Sequence, residues 1–194
     1  MLNSTTEQRF HAYARIMAAE TEFWRCHRKC AGVMEFTALG YSRPPDGYTS
    51  DHFIDVEKLV YEPEFLKYVP DAFAPVGLMI DYWDDKEEIG TQVKIPVIAI
   101  NDLNESWSGP VTLRVLDGDK VVSETAQPGK MEAYGETHLA FEIPLPTQPG
   151  KYTIQAELNG AEGQPVKSLR DVELHGHEDS KKAAEVGKPP ASSK

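Results

Sequence analysis

The chain has 194 residues, 40% of them hydrophobic, with 31 acidic against 20 basic side chains and a formal net charge of −11. That excess argues against nucleic acid and anionic membrane surfaces as partners, since both need a basic face. No apolar run approaches the roughly 20 residues of a membrane-spanning helix, and Met1-Leu-Asn-Ser-Thr-Thr-Glu7 has neither the basic nor the apolar region of a signal peptide, which leaves the location of any larger parent protein open.

Ser4-Thr-Thr-Glu7 is a capping-box pattern. Behind it Phe10, Tyr13, Ala14, Met17, Thr21 and Trp24 recur at helical spacing, which predicts a helix ending near Cys26 with this stripe in a core. Arg9, Arg15, Glu22 and Arg25 fall mostly off the stripe. Glu20, Glu22, Glu57 and Glu62 read as solvated charges. Cys26 and Cys30 bracket His27, but a closed zinc site needs four ligands and no second Cys/His pair lies nearby, so both read as structural thiols.

Ala31-Gly-Val-Met-Glu-Phe-Thr-Ala-Leu39 is nearly continuous in apolar and β-compatible residues. That suits a strand buried on both faces, as in a parallel sheet covered by helices, and a helix running into it is half of an α/β unit. One unit cannot make a parallel sheet, so its neighbours must come from elsewhere. The loop Gly40–His52 combines Tyr41, Arg43, Tyr48, Asp51 and His52 between prolines and glycines. Such a loop at a strand's carboxyl end is a candidate sugar contact or an ordinary surface loop. Glu62–Gly77 predicts a second helix starting at Pro63, kinked or split at Pro70. Val76–Trp83 reads as a strand and Asp84–Gly90 as a charged turn.

Period-two alternation then takes over. Strands are expected at 92–101, 111–117, 120–126, 137–143, 150–159 and 164–174, separated by Asp117-Gly-Asp119, Gln127-Pro-Gly129, Gln148-Pro-Gly150 and Asn159-Gly160. This is the pattern of a β-sandwich. Tyr152, Ile154, Ala156 and Leu158 should face in, and Thr153, Gln155 and Glu157 out. Trp107 reads as a packing residue more than a sugar platform. The expected organisation is 1–76 α/β, 77–174 sandwich, and a disordered polar tail at 175–194.

In combination these parts resemble the C-terminal part of glycoside hydrolase family 2, the β-galactosidase, β-glucuronidase and β-mannosidase group. Cys30–Leu39 resembles the eighth strand of that family's (β/α)8 barrel, with Phe36 in place of the usual Trp and Gly40 where an Asp often stands. Pro63–Val76 resembles the last barrel helix and its exit, and Val97-Ile-Ala-Ile-Asn-Asp102 an early strand of the following immunoglobulin-like sandwich. The resemblance covers about residues 7–174. It implies a mixed fold: the last helix–strand–helix of a TIM barrel, then an all-β immunoglobulin-like sandwich. It also implies a parent that hydrolyses O-glycosyl bonds with retention through two glutamates about 5 Å apart. In the family these sit on the fourth and seventh strands, before this chain begins. Glu35 matches neither role, so no catalytic residue and no cofactor are expected here. Phe36, Tyr41, Arg43, Asp51 and His52 are the candidate sugar contacts, and the unpaired barrel strand a route to self-association. The alternative is a stand-alone carbohydrate- or protein-binding sandwich. A complete small α/β enzyme is disfavoured, because no phosphate-binding Gly-rich loop, Gly-x-Ser-x-Gly or metal quartet is present.

Overall fold

The computed structural model describes residues 4–34, 52–55 and 57–176, and the backbone of 42–43 and 47–48. The first element is helix α1, Thr6–Cys26. Two overlapping capping boxes are written in its N-terminal sequence, and the one used is a residue later than predicted. Thr5 is the N-cap, its hydroxyl accepting from the Gln8 N–H while the Gln8 side chain accepts from the Thr5 N–H. Cys26 is the last helical residue, as expected. Helix α2, Pro63–Ala72, is continuous through Pro70. That proline sits in its last turn, where the missing N–H removes one hydrogen bond and leaves no long helical stretch beyond it to kink.

The predicted strand at 31–39 is not found in its described part. Ala31–Met34 is irregular and mostly exposed, with Met34 90% exposed. No described strand lies alongside to take its backbone hydrogen bonds. Residues 35–39 fall outside the described residues. Within the predicted loop, β1 (Ser42–Arg43) pairs with β2 (Gly47–Tyr48), and β3 (Phe53–Asp55) with β4 (Val60–Tyr61), both antiparallel.

The remaining strands are β5 (Val76–Ile80), β6 (Lys86–Glu88), β7 (Gln92–Asn101), β8 (Trp107–Asp117), β9 (Lys120–Met131), β10 (Glu136–Pro144), β11 (Gly150–Asn159) and β12 (Pro165–His175). They form two sheets, ordered β10-β7-β5 and β6-β12-β11-β8-β9. β7 and β11 have the predicted bounds, and β12 runs on to His175, which the sequence assigned to the tail. β6 lies inside the predicted charged turn: its three residues pair parallel with the end of β12. Gly118 takes a φ of 59° between β8 and β9, a conformation glycine adopts without a Cβ penalty.

The core lies between the sheets and is built by alternate residues: Leu78 and Ile80, Val97, Leu113, Phe141, Ile154 and Leu174 are all buried there. Tyr152, Ile154, Ala156 and Leu158 face in as predicted. Gln155, predicted to face out, is buried beside its cross-strand partner Leu169, which packs under the helices. The fold is therefore mostly β, a sandwich-like pair of sheets with two helices laid against it.

The helices close the side of the sandwich where β5 and β12 meet. Ala14 and Ala18 of α1 and Tyr68, Val69 and Ala72 of α2 bury Leu169 of β12. Cys26 packs on Met79 and Ile100, on the outer face of the three-stranded sheet. All five residues of β5 are buried as a result, the inner ones by the sandwich and the outer ones by α1.

Candidate functional site

The seam between helices and sandwich carries an unusual share of polar chemistry. At its centre, Glu22 of α1 is 2% exposed, not solvated as its sequence context suggests. Its Oε2 accepts from Arg170 Nη2 at 2.7 Å and from the Ser168 hydroxyl at 2.9 Å. Ser168 Oγ in turn accepts from the Ile80 N–H at 3.1 Å, so one carboxylate links α1 to β12 and, through Ser168, to β5. Burial pushes the Glu22 carboxyl above the usual carboxylate range, against the pull of Arg170. Burial also raises the neighbouring Cys26 thiol to about 12, which makes it an inert core group.

Two further ties flank this one. His11 of α1 stands between Glu64 of α2 (2.8 Å) and Asp171 of β12 (2.9 Å), with Arg15 3.4 Å from the same Asp171 oxygen. At the far end of α1, Arg25 donates to the carbonyls of Ala72 (2.5 Å) and Ala74 (2.7 Å) and to Asp102 (2.7 Å). Arg28 donates to Asp102 (2.5 Å) and to the carbonyls of Asn101 and Gly135. Desolvation raises the Asp102 carboxyl, but the two guanidiniums outweigh it and hold it below its ordinary value. Gly77 leaves room beneath Arg25, since a Cβ there would lie 3.1 Å from its Nη1 and 3.2 Å from the Ala74 carbonyl oxygen.

Between α1 and the segment that follows β5 runs a groove of about 240 Å³. Ile16, Ala19 and Phe23 of α1 form one wall, Tyr82 and Trp83 the other. Trp83 is 52% exposed yet held in place. Its Nε1 donates to Asp81 at 2.7 Å, its ring lies 6.3 Å from Phe23, and the Arg170 guanidinium sits 4.7 Å from its centroid. Tyr82 donates to Glu87. Glu20, Asp84 and Asp85 border the groove beside the Arg15–Asp171 pair. The sequence offered Tyr82 and Trp83 only as the end of a strand, and nothing in it set them opposite Phe23.

Of the predicted sugar contacts, Phe36, Tyr41 and Asp51 lie outside the described residues, and Arg43 is described only by its backbone in β1. His52 is 3% exposed, its ring 4.5 Å from Phe65 and 5.9 Å from Tyr13. Its carbonyl accepts from the Glu62 N–H. Glu62, read as a solvated charge, is buried as the N-cap of α2, accepting from the Phe65 N–H at 2.8 Å. Trp107 packs against the core and donates to the Asn159 carbonyl at 2.8 Å. Among the described residues no three His, Cys, Asp or Glu side chains are grouped to hold a metal ion, and no helix is long and apolar enough to cross a membrane.

No protein-family model matches the chain, and no curated protein matches it. Solved structures give remote likenesses. A β-glucosidase from Listeria innocua in complex with glucose is 13% identical with a TM-score of 0.42, over 54% of this chain and 16% of its own length. The sporulation control protein Spo0M from Bacillus subtilis is 13% identical with a TM-score of 0.40, over 58% of this chain and 55% of that one. The CARDB domain of a Pyrococcus furiosus protein is 19% identical with a TM-score of 0.41, over 53% of this chain and 95% of that domain. The likeness spans 16% of the glucosidase's length.

Proposed function

We propose that this chain is the C-terminal part of a retaining β-glycosidase of the family 2 type. Residues 1–76 contribute the last helix–strand–helix of a (β/α)8 barrel, and residues 77–174 form an immunoglobulin-like accessory sandwich. The observation that carries the reading is Ala31–Met34. It lies in the connection between the two helices, and this apolar, β-compatible stretch is mostly open to water, with no strand beside it among the described residues. An apolar, β-compatible stretch left mostly uncovered among the described residues supports a fold in which other strands would cover it.

The catalytic glutamate pair belongs to the missing strands, so the isolated chain hydrolyses no glycoside. Phe36, Tyr41, Arg43 and Asp51 are the predicted contacts that would contribute one wall of the parent's sugar pocket, His52 being buried against Phe65, and the exposed segment from Ala31 is the route by which the isolated chain associates with itself. The DNA immediately upstream tests this. An in-frame barrel with glutamates after its fourth and seventh strands supports the reading. An unrelated frame there overturns it, as does turnover of aryl β-glycosides by the pure chain above a buffer blank.

A second reading, a stand-alone binding module, is favoured by the groove at Trp83, where an exposed indole is held rigid on the sandwich edge.

A further inference from the structure

We infer that the groove between α1 and Tyr82–Asp85 docks a basic polypeptide segment, seating one bulky apolar side chain against Trp83 and Phe23 with lysine or arginine on either side of it. The inference concerns this surface alone and stands whether the chain is a glycosidase fragment or a module.

The groove holds about 240 Å³, below the roughly 300–1,000 Å³ of pockets that enclose a drug-sized ligand. It suits a single large side chain, the usual anchor of a protein–protein contact. Its walls match such an anchor, being Ile16, Ala19 and Phe23 on one side and Tyr82 and Trp83 on the other. The Trp83 ring is pre-ordered by Asp81 and Arg170, so little side-chain entropy is lost when a partner packs on it. A sugar is less well served, because the Arg170 guanidinium already covers part of the indole.

The two cations at the groove are already neutralised: Arg170 by Glu22 and Arg15 by Asp171. Among the described residues, Glu20, Asp84 and Asp85 make no ion pair or side-chain hydrogen bond. Three uncompensated carboxylates around an aromatic floor repel an acidic partner and gain from a basic one, through Coulomb attraction and through cation–π contact at the rim.

The test uses the full chain and two blocked pentapeptides, one with phenylalanine between pairs of lysines and one with it between pairs of glutamates. Binding is followed by calorimetry and by the Trp83 indole N–H resonance. The lysine peptide should bind saturably and shift that resonance, and the glutamate peptide should do neither. Asp84→Asn with Asp85→Asn should weaken binding about tenfold, since each factor of ten is only about 1.4 kcal/mol. Ile16→Lys, at a half-exposed position that tolerates the change, should abolish it. Asp117→Asn with Asp119→Asn makes the same change in net charge on the exposed β8–β9 turn and should leave binding unaltered. Equal weakening by the two double variants would reduce the effect to net charge and overturn the proposal. No saturable binding of the lysine peptide, equal binding of the glutamate peptide, or saturable binding of cellotetraose at Trp83 would each overturn it as well.

Discussion

The sandwich and the two helices laid against it are held by different forces. Inside the sandwich the contacts are apolar and alternate along each strand, with Phe141, Ile143, Ile154 and Leu113 all removed from water. Where a polar side chain enters, it is saturated locally. Asn101 is wholly buried, donates to the carbonyls of Glu105 and Glu132, and accepts from the Leu103 N–H. The helical layer has a thin apolar contact built on small residues, Ala14, Ala18 and Ala72. It relies on three polar ties, at Glu22–Arg170, His11 between Glu64 and Asp171, and Arg25 and Arg28 on Asp102. Apolar burial is non-directional and tolerant, whereas a buried ion pair demands one geometry and adds little net stability when formed. The sandwich is thus the stable part, and the helical layer is the part whose position is specified by geometry and lost more easily.

Three perturbations would break or sharpen that contrast. The largest effect should come from Phe141→Ala, which opens a cavity in the sandwich and should cost about 3–5 kcal/mol. In urea unfolding followed by circular dichroism, helices and strands should be lost together, because β5 and β12 complete the buried faces of the helices. A helical signal surviving the loss of the sandwich would refute the dependence. Next is Arg170→Leu, which leaves Glu22 buried without its cation. The expected loss is roughly 3 kcal/mol, the low end for a broken buried pair because Arg170 borders an open groove. Amide exchange should quicken in α1 while β7 and β11 stay protected, and adding Glu22→Leu should restore most of the stability. Uniform quickening across both regions would erase the distinction.

The smallest effect is acid sensitivity at Asp102. Its carboxyl lies below the ordinary value of about 3.9 in the folded chain. Its contribution is therefore fully present above that unfolded value and is lost as pH falls through the lower folded one. The melting temperature should drop below about pH 4, and Asp102→Asn should flatten that part of the profile. An unchanged profile in the variant would remove Asp102 from the set of ties.

Much of the sandwich was legible because most of its long strands carry their own period-two signal, although β6 lies in a predicted turn and the predicted turn at Gln127–Gly129 lies inside β9. The bounds of β7 and β11 follow from Gln92–Asn101 and Gly150–Asn159 alone. The helical layer was legible only as two helices. Large residues drew the predicted stripe of α1 through Trp24, which is exposed. The buried ridge instead runs through Ala14, Ala18, Glu22 and Cys26 at strict four-residue spacing. Small side chains there allow close approach, and a glutamate can join them only because Arg170 and Ser168 wait opposite, which spacing within one helix cannot disclose. The rule that an apolar run is a strand buried on both faces applies to Val76–Ile80, covered by the core on one side and α1 on the other. The described part of the earlier run, Ala31–Met34, meets no such cover. Of the candidate sugar contacts, the described one, His52, turned out to pack on Phe65.

The sequence by itself therefore determined the cores of the long sandwich strands and, at most of their positions, which side faces in, since these depend on neighbours two to four positions away. Only the tertiary structure decided that Glu22 is buried, that Asp102 receives two arginines, and that Trp83 and Phe23 face each other across a groove. Those pairings join residues up to 148 positions apart. They exist because the two helices close the β5–β12 edge, an arrangement set by how whole elements fit together.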